Sequence, residues 1–372
     1  MPSGGAEIKF GKAINPQHAE DAIVRLGGPS DSLQMTRIDF SECEHIDASV
    51  GWRLGNAFRR HASASLLEIV VPSWDETDSR GTGQLWFRYF TRTGLGQAIA
   101  NRCHQVFRDG DNIAGRLRAY YSESGSKPRQ NHFFSPGIRQ HRPFNVDDFD
   151  DFLNHFRSSV QYVPLGGRTF TAEFLSQLGN LVFEAVQNVW DHSAGKPLSP
   201  SIEVFDYLCV NFFKTLSAAP DPSGKYAGFI KHVNSDFSAS EKLLGFVEII
   251  VNDDGVGIAA RQSLDPTIYW DSDTSREQCA LLEALERGRS VKFKSQDCPI
   301  RHDPGFGISK IAKSLRDLRA FAVLRTGRRI AVHDPYDTSS DSFVLTNDIL
   351  GYLPGTALDV IVPMPDPQRR LF

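Results

Sequence analysis

Cysteine and long apolar runs are scarce in this chain, and each shortage argues against a class of protein. The 372 residues include five cysteines, an odd number, and no two of them are two residues apart. This pattern argues against a disulfide framework and a cysteine zinc site, and it predicts reduced thiols. The longest apolar run, 243–251, is interrupted by Glu248 and is far too short to span a bilayer. We therefore expect no membrane segment.

The chain also has no large excess of acidic or of basic residues. The net charge is −4, with 41 basic and 45 acidic residues, so the chain lacks the surplus of a protein that binds nucleic acid mainly through phosphates. Residues 1–5 do not begin a secretory signal, in which an apolar stretch follows basic residues. With 40% hydrophobic and 23% charged residues the composition is that of a globular protein, and we expect a cytoplasmic location.

Two polar residues share one face of a helix that the sequence predicts over 174–189. Glu184 and Asn188 are four residues apart in an amphipathic stretch, so their side chains project from the same face. A carboxylate beside an amide oxygen suits a site for Mg²⁺ and phosphate, where the carboxylate accepts a proton from water or a hydroxyl. Without further context, such a pair is more often a solvated helix face.

A second polar stretch follows a predicted buried strand over 245–251. Asp253 lies where this strand gives way to a loop, and its carboxylate can accept a hydrogen bond from an exocyclic amine. Gly255 and Gly257 let the backbone turn and approach a flat base or a phosphate closely. Alone, Asp-Asp-Gly after a strand is most often a hairpin turn.

A third stretch places Gly305 and Gly307 just before a predicted helix over 309–318. This arrangement points the free N–H groups of a helix start at an anion, for which phosphate is the natural candidate. One Gly-x-Gly is commonplace, so the prediction depends on the other two stretches.

The order and content of these three stretches resemble the N, G1 and G2 boxes of the GHKL ATPases, a group that includes gyrase and the histidine kinases. A fourth stretch, 353–363, resembles the closing Gly-Thr and final strand of that family. The resemblance covers about residues 145–365. It implies ATP and Mg²⁺ as ligands, and a Bergerat α/β sandwich in which helices cover one face of a mixed sheet.

By position, the resemblance also implies a role for each motif residue. Glu184 matches the general base of the family, and Asn188 matches its Mg²⁺ ligand. The residues that match nucleotide-binding positions are Asn188, Asp253, Gly255, Gly257, Gly305, Gly307 and Thr356. Among these, Asp253 corresponds to the adenine-binding Asp, and Thr356 to a hydroxyl near adenine. Two features depart from the family pattern: the G2 box has fewer glycines, and a polar insertion occupies about residues 217–241.

The segment between residues 258 and 305 corresponds to the ATP lid of the family. It carries basic residues, among them Arg261 and Arg276, whose charges would neutralise a triphosphate. Glutamates such as Glu277 alternate with the arginines, which also fits a solvated helix with pairs four residues apart. Both interpretations stay open.

The sequence predicts a separate domain over residues 1–110. A strand over 36–40, a helix over 46–58 and a strand over 66–72 form one β-α-β step, which implies a parallel strand pair. The pattern resembles STAS domains, as in anti-sigma-factor antagonists. In those proteins the regulatory phosphate lies at the start of this helix, so the resemblance makes Ser49 a candidate phosphoacceptor. Ser49 equally fits a helix cap.

Residues rich in Ser, Gly and Pro follow this domain, and the sequence predicts a linker over 111–144. The second domain then occupies 145–372 and opens with a predicted helix over 146–160. The expected fold class is therefore α/β and α+β, with a STAS-like α/β layer followed by a GHKL-like sandwich.

The expected subclass depends on the neighbouring segments. We see neither the transducer domain of gyrase-type members nor the phosphoacceptor hairpin of histidine kinases, whereas His192 after Asn188 resembles the anti-sigma-factor serine kinases. We therefore expect a cytoplasmic regulatory protein that binds ATP and either hydrolyses it or phosphorylates Ser or Thr in partner switching. The alternatives are a non-catalytic ATP-dependent interaction module and a stand-alone ATPase of a stress or defence complex. The protein partner and the oligomeric state stay open, a homodimer included.

Overall fold

The chain divides into two compact units, Met1–Gln130 and Asn131–Phe372. The computed structural model describes residues 6–14, 16–27, 36–46, 48–60, 67–73, 95–123, 133–134, 170–193, 206–213, 225–239, 243–253, 255–286, 307–337 and 342–365. Where we expected the first domain to end at residue 110, the first unit continues to Gln130. Each unit contains a β-sheet and helices, so the protein is of mixed α and β composition.

Short strands and helices alternate in the first unit. Its strands are β1 (Ala6–Lys9), β2 (Ala13–Ile14), β3 (Thr36–Asp39), β4 (His45–Ile46), β5 (Leu67–Val70), β6 (Gln105–Arg108) and β7 (Asp111–Asn112). The helices among its described residues are α1 (Pro16–Gly27), α2 (Ala48–Arg60), α3 (Leu95–Arg102) and α4 (Ala114–Glu123). Both β7 and α4 lie within the range predicted as a linker.

Five of these strands form one sheet in the order β1-β3-β5-β6-β7. Strands β3 and β5, which precede and follow α2 in the chain, pair in parallel and confirm the predicted crossover. Ile38 and Ile69 in these strands and Leu54 in α2 are fully buried, as expected of a parallel sheet that helices cover. Ser49 is the second residue of α2.

The second unit includes, among its described strands, longer ones than those of the first unit. Its strands are β8 (Phe133–Phe134), β9 (Asp206–Phe213), β10 (Leu243–Asp253), β11 (Phe321–Gly327), β12 (Arg329–His333), β13 (Val344–Leu345) and β14 (Leu353–Pro365). The helices among its described residues are α5 (Ala172–Ser193), α6 (Lys225–Ala239), α7 (Ile258–Ser263), α8 (Ser275–Leu285) and α9 (Gly307–Asp317), with a 3₁₀ turn at Ile268–Trp270.

These strands form a seven-stranded sheet in the order β13-β12-β11-β14-β10-β9-β8. Every neighbouring pair of the described strands is antiparallel, so the predicted mixed sheet is wrong for this part of the chain. The position of the last strand explains the difference. The crossover from β10 to β11 joins two strands that run in the same direction, but β14 lies between them and runs opposite to both.

Helices cover both faces of this sheet, whereas the resemblance implied one face. Helices α5 and α9 pack on the face that carries Val247 and Val251. Helix α6 packs on the other face, where Phe229 lies against Phe321 with the ring centroids 5.2 Å apart. This helix occupies the region predicted as a polar insertion, and its buried side chains supply the second apolar layer that the sheet needs.

The other local predictions for the second unit agree with the structure at the level of whole elements. The predicted helices over 174–189 and 309–318 correspond to α5 and α9, and the predicted strands over 245–251 and 353–363 correspond to β10 and β14. The predicted helix over 146–160 lies outside the described residues. Among the described helices, none has both the length and the apolar character that crossing a membrane requires.

Three of the cysteines have described surroundings. Cys43, Cys103 and Cys279 are free, and the first two are buried. Burial raises the pKa of the Cys103 thiol to about 12, so this cysteine stays protonated and acts as a small apolar side chain in the core.

Candidate nucleotide site

A cavity in the second unit opens where α5, α9 and the sheet meet. Its space measures about 710 Å³ when the open mouth is included. Most of its wall is apolar, with side chains from α5, α9, β10, β11 and β14. The polar residues that line it are Asn188, Asp253, Arg261, Gln262 and Thr356. Apolar walls with a few polar groups suit a flat ring that carries hydrogen-bonding edges.

Asp253 is the last residue of β10 and is 6% exposed. Its Oδ1 accepts a hydrogen bond from the backbone N–H of Gly255 at 2.8 Å, which fixes the orientation of the carboxylate. Thr356 of β14 is its direct cross-strand partner and lines the same cavity. The structure therefore brings together the two residues for which the resemblance implied a role near the base.

Gly257 occupies a backbone conformation that favours glycine, with φ 80° and ψ 164°. A Cβ at this position would lie 2.5 Å from Tyr269 Oη and 3.0 Å from Thr326 Oγ1. The glycine is thus required both by its dihedral angles and by the close approach of two polar side chains. These side chains hold the start of α7 against the sheet.

Thr326 supports this site and was missed by sequence reasoning. Its Oγ1 accepts a hydrogen bond from the N–H of Ile258 at 3.0 Å and donates one to the carbonyl of Gly355 at 3.2 Å. Tyr269 Oη accepts a hydrogen bond from the N–H of Ala260 at 3.1 Å, and burial raises the pKa of Tyr269 far above its ordinary value. No local motif marks Thr326, because Ile258 and Gly355 are both distant from it in the sequence.

Asn188 lines the cavity one turn beyond Glu184 on α5. The Nδ2 of its amide is buried and has no hydrogen-bond partner within the described part of the chain. A ligand oxygen would satisfy this donor, and rotation of the amide would present its oxygen instead. Glu184 is 21% exposed, and its Oε1 lies 3.5 Å from Nζ of Lys310 on α9. Sequence reasoning assigned no role to Lys310, because only the packing of α9 against α5 brings it to Glu184.

Of the two glycines in the predicted phosphate-binding stretch, one lies within the described residues. Gly307 is the first residue of α9, and Ile308 beside it lines the cavity. Gly305 lies outside the described residues.

The predicted lid segment is described as far as residue 286, and its arginines differ in their surroundings. Arg261 lines the cavity and is 5% exposed. Arg276 is exposed instead and pairs with Asp265 and Asp271. Of these two arginines, only Arg261 therefore lies where it could contact a ligand in the cavity.

Glu277 in the same segment is fully buried, so the interpretation of a solvated helix is wrong for this residue. The reason is Arg328, which follows β11 in the chain. It donates to the Glu277 carboxylate from its backbone N–H and from its Nε, both at 2.8 Å. The pair joins α8 to the sheet.

The residues around the cavity fit a metal ion that is bound mainly by a substrate and only in part by the protein. In the described part of the chain, no three His, Cys, Asp or Glu side chains lie close enough to hold a metal on their own. Mg²⁺ is commonly bound by one or two protein oxygens together with phosphates and water, and the orphaned amide of Asn188 is compatible with such a site.

The candidate site is therefore assembled from motifs that are far apart in the sequence. Asp253 and Thr356 lie together on the sheet, and Asn188 lines the same cavity from α5. In comparison with known proteins, no protein-family model and no curated protein matches the chain.

Proposed function

We propose that the second unit binds ATP and that the protein is an ATP-dependent regulator of the GHKL type. The observation that carries the proposal is the shared cavity of Asp253, Thr356 and Asn188. Asp253 and Thr356 would contact the base, and Asn188 would contact the phosphates and their metal ion. The antiparallel sheet, with helices on both faces, departs from what the resemblance implied, so the proposal depends on the site and not on the topology.

The base would bind between apolar side chains, with its exocyclic amine donating to Asp253. The hydrogen bond from Gly255 keeps the carboxylate in one orientation, so less entropy is lost when the amine binds. Val251 and Leu324 supply apolar surface in the same cavity. A carboxylate is a strong acceptor in such surroundings because few water molecules compete with the amine.

The phosphates would extend toward α5, where Asn188 would hold Mg²⁺ together with phosphate oxygens. When bound, Mg²⁺ neutralises phosphate charge and makes the terminal phosphorus a better electrophile. Glu184, one turn away, would accept the proton of the attacking group. That group is water in a hydrolase and a Ser or Thr hydroxyl in a kinase.

In the regulatory role that we propose, the first unit is STAS-like and Ser49 is its phosphoacceptor. Ser49 is the second residue of α2, and the free N–H groups of a helix start favour a phosphate. A phosphate there adds about two negative charges and changes the surface that a protein partner meets. Partner switching would follow from that change in charge.

The deciding experiment measures binding of ATP with Mg²⁺ to the full chain by calorimetry. The variants are Asp253→Asn, in which an amide replaces the carboxylate that would accept from the amine, and Asp348→Asn as an exposed control. We expect the first variant to lose binding and the control to keep it. Wild-type protein that binds no ATP, or an Asp253→Asn variant that binds as well as wild type, would contradict the proposal.

Phosphate release and intact mass on the same samples then separate the activities. We expect Glu184→Gln to bind ATP but to lose turnover, because the amide cannot accept the proton. One added phosphate that disappears in Ser49→Ala supports a kinase and its acceptor within one chain. Phosphate release without added mass supports a stand-alone ATPase, and binding alone supports an interaction module that ATP regulates.

A further inference from the structure

Helix α9 carries two lysines that differ in their partners. Lys313 pairs with Asp317 on its own helix at 2.7 Å. Lys310 instead reaches across to α5, where its Nζ lies 3.5 Å from Oε1 of Glu184. Of these two ion pairs, only the second joins the helices that flank the cavity.

Lys310 approaches the cavity through its ion pair with Glu184, although neither of these two side chains lines the wall itself. On α5, Asn188 lies one turn from Glu184, lines the wall and has a buried Nδ2 without a partner in the described part of the chain. The ion pair thus lies one helical turn from Asn188, the residue that the proposed function places at the phosphates.

The ion pair with Glu184 is weak enough to be exchanged for another anion. Lys310 is 48% exposed and Glu184 is 21% exposed, and water screens ion pairs of this kind, so they contribute little to stability. A lysine side chain is long and flexible, and its ammonium is a compact charge that can move from one oxygen to another. The terminal phosphate of a nucleotide carries more negative charge than one carboxylate and therefore attracts the ammonium more strongly.

We propose that Lys310 binds the terminal phosphate of ATP, leaves Glu184 when it does so, and thereby makes the site prefer ATP to ADP. This inference rests on the proposed ATP binding. Without the terminal phosphate, Lys310 stays paired with Glu184. With it, the lysine is drawn to the phosphate, and the Glu184 carboxylate is released.

The experiment measures the affinities of the full chain for ATP and for ADP, each with Mg²⁺, by calorimetry. For Lys310→Ala we expect a loss of about tenfold or more in ATP affinity, the size of one hydrogen bond to a charged group. The affinity for ADP should stay the same, since ADP lacks the phosphate in question. Lys313→Ala is the matched control on the same helix, and it should change neither affinity. Alanine is the best helix former, so both variants should fold.

A double-mutant cycle tests the exchange of partners. Glu184→Gln removes the competing carboxylate, so we expect ATP affinity to rise more in the wild-type background than when Lys310→Ala is already present. A residue that only supported the fold would not produce this difference.

The outcomes distinguish this inference from the proposed function. If Lys310→Ala leaves the ratio of ATP to ADP affinity unchanged while the wild type binds ATP, the inference is wrong and ATP binding stands. An equal loss for both nucleotides in Lys310→Ala also contradicts it, because the lysine then supports the site as a whole. Wild-type protein that binds neither nucleotide overturns both proposals.

Discussion

Asp253 and Thr356 are direct partners in the antiparallel pairing of β10 with β14, and Thr356 in turn pairs with Thr326 of β11. Side chains of directly paired residues project from the same face, with Cβ atoms about 4.5–5.5 Å apart. A carboxylate and two hydroxyls therefore form a polar row across three strands. A register slip of one residue between β10 and β14 would turn Asp253 to the other face and remove it from the cavity.

The hydroxyl of Thr326 should matter for both stability and the site. Thr326→Val keeps the shape but leaves the N–H of Ile258 and the carbonyl of Gly355 without their partner. We expect a loss of about 1–3 kcal/mol in the free energy of unfolding, the cost of leaving buried polar groups unsatisfied. Urea unfolding of the second unit measures this loss.

Thr346→Val is the matched control, since the Thr346 hydroxyl is less buried and accepts one long hydrogen bond, from Asp348 N at 3.4 Å. It should change stability much less. Equal effects of the two variants would argue against a special role for Thr326.

Gly257 should not tolerate a side chain. In Gly257→Ala, the new Cβ would meet Tyr269 Oη at 2.5 Å, in a backbone conformation that is already costly for alanine. We expect a loss of about 3 kcal/mol or more, from backbone strain and overlap together. Thermal unfolding of the second unit measures this loss.

Gly110→Ala measures backbone strain without overlap, and so separates these two causes of the stability loss in Gly257→Ala. Gly110 also has a positive φ, 87°, but no atom lies within 4 Å of the position its Cβ would take. We expect a loss of about 1–2 kcal/mol in the first unit, from backbone strain alone. A loss as large as that of Gly257→Ala would show that overlap with Tyr269 contributes nothing.

The buried ion pair of Glu277 with Arg328 should hold helix α8 in place. Arg328→Met removes one partner and leaves the fully buried Glu277 carboxylate uncompensated, which typically costs about 3–5 kcal/mol. Hydrogen exchange should show faster opening of α8, which carries Glu277, and of the cavity wall at Ala284. Arg276→Met is the control on the same helix: its ion pairs are exposed, so we expect little change.

Acid should destabilise the second unit through His333. Burial lowers the pKa of this histidine, which is 1% exposed, below its ordinary value of 6.5. The unfolded chain therefore binds a proton more readily than the folded one. The free energy of unfolding should fall as pH drops below about 6.5, by at most about 1.4 kcal/mol per pH unit for one proton.

Urea unfolding between about pH 7.5 and pH 5, a range that spans the ordinary histidine pKa, tests this dependence. His333→Phe should remove the part of the pH dependence that His333 contributes. An identical pH dependence in wild type and His333→Phe would mean that His333 is not responsible.

Local patterns were enough to predict the elements that carry the site. The helix of Glu184 and Asn188, the strand that ends at Asp253, and the final strand with Thr356 each follow from periodicity within a short stretch. Gly257 was singled out as a position where the backbone must turn, and its φ of 80° agrees. Such features depend on residues that are neighbours in the chain.

Contacts between distant residues were not predictable in this way. Arg328 reaches Glu277 across 51 positions, and Lys310 reaches Glu184 across 126. The sequence predicted a mixed sheet with helices on one face, because nothing local shows that β14 lies between β10 and β11 or that α6 packs on the second face.

The sequence by itself determined the helices, the strands and the polar residues at their ends, since these depend on short-range periodicity and glycine. Only the tertiary structure decided which side chains meet in the cavity, because strand order and helix packing are set by burial of the whole apolar surface.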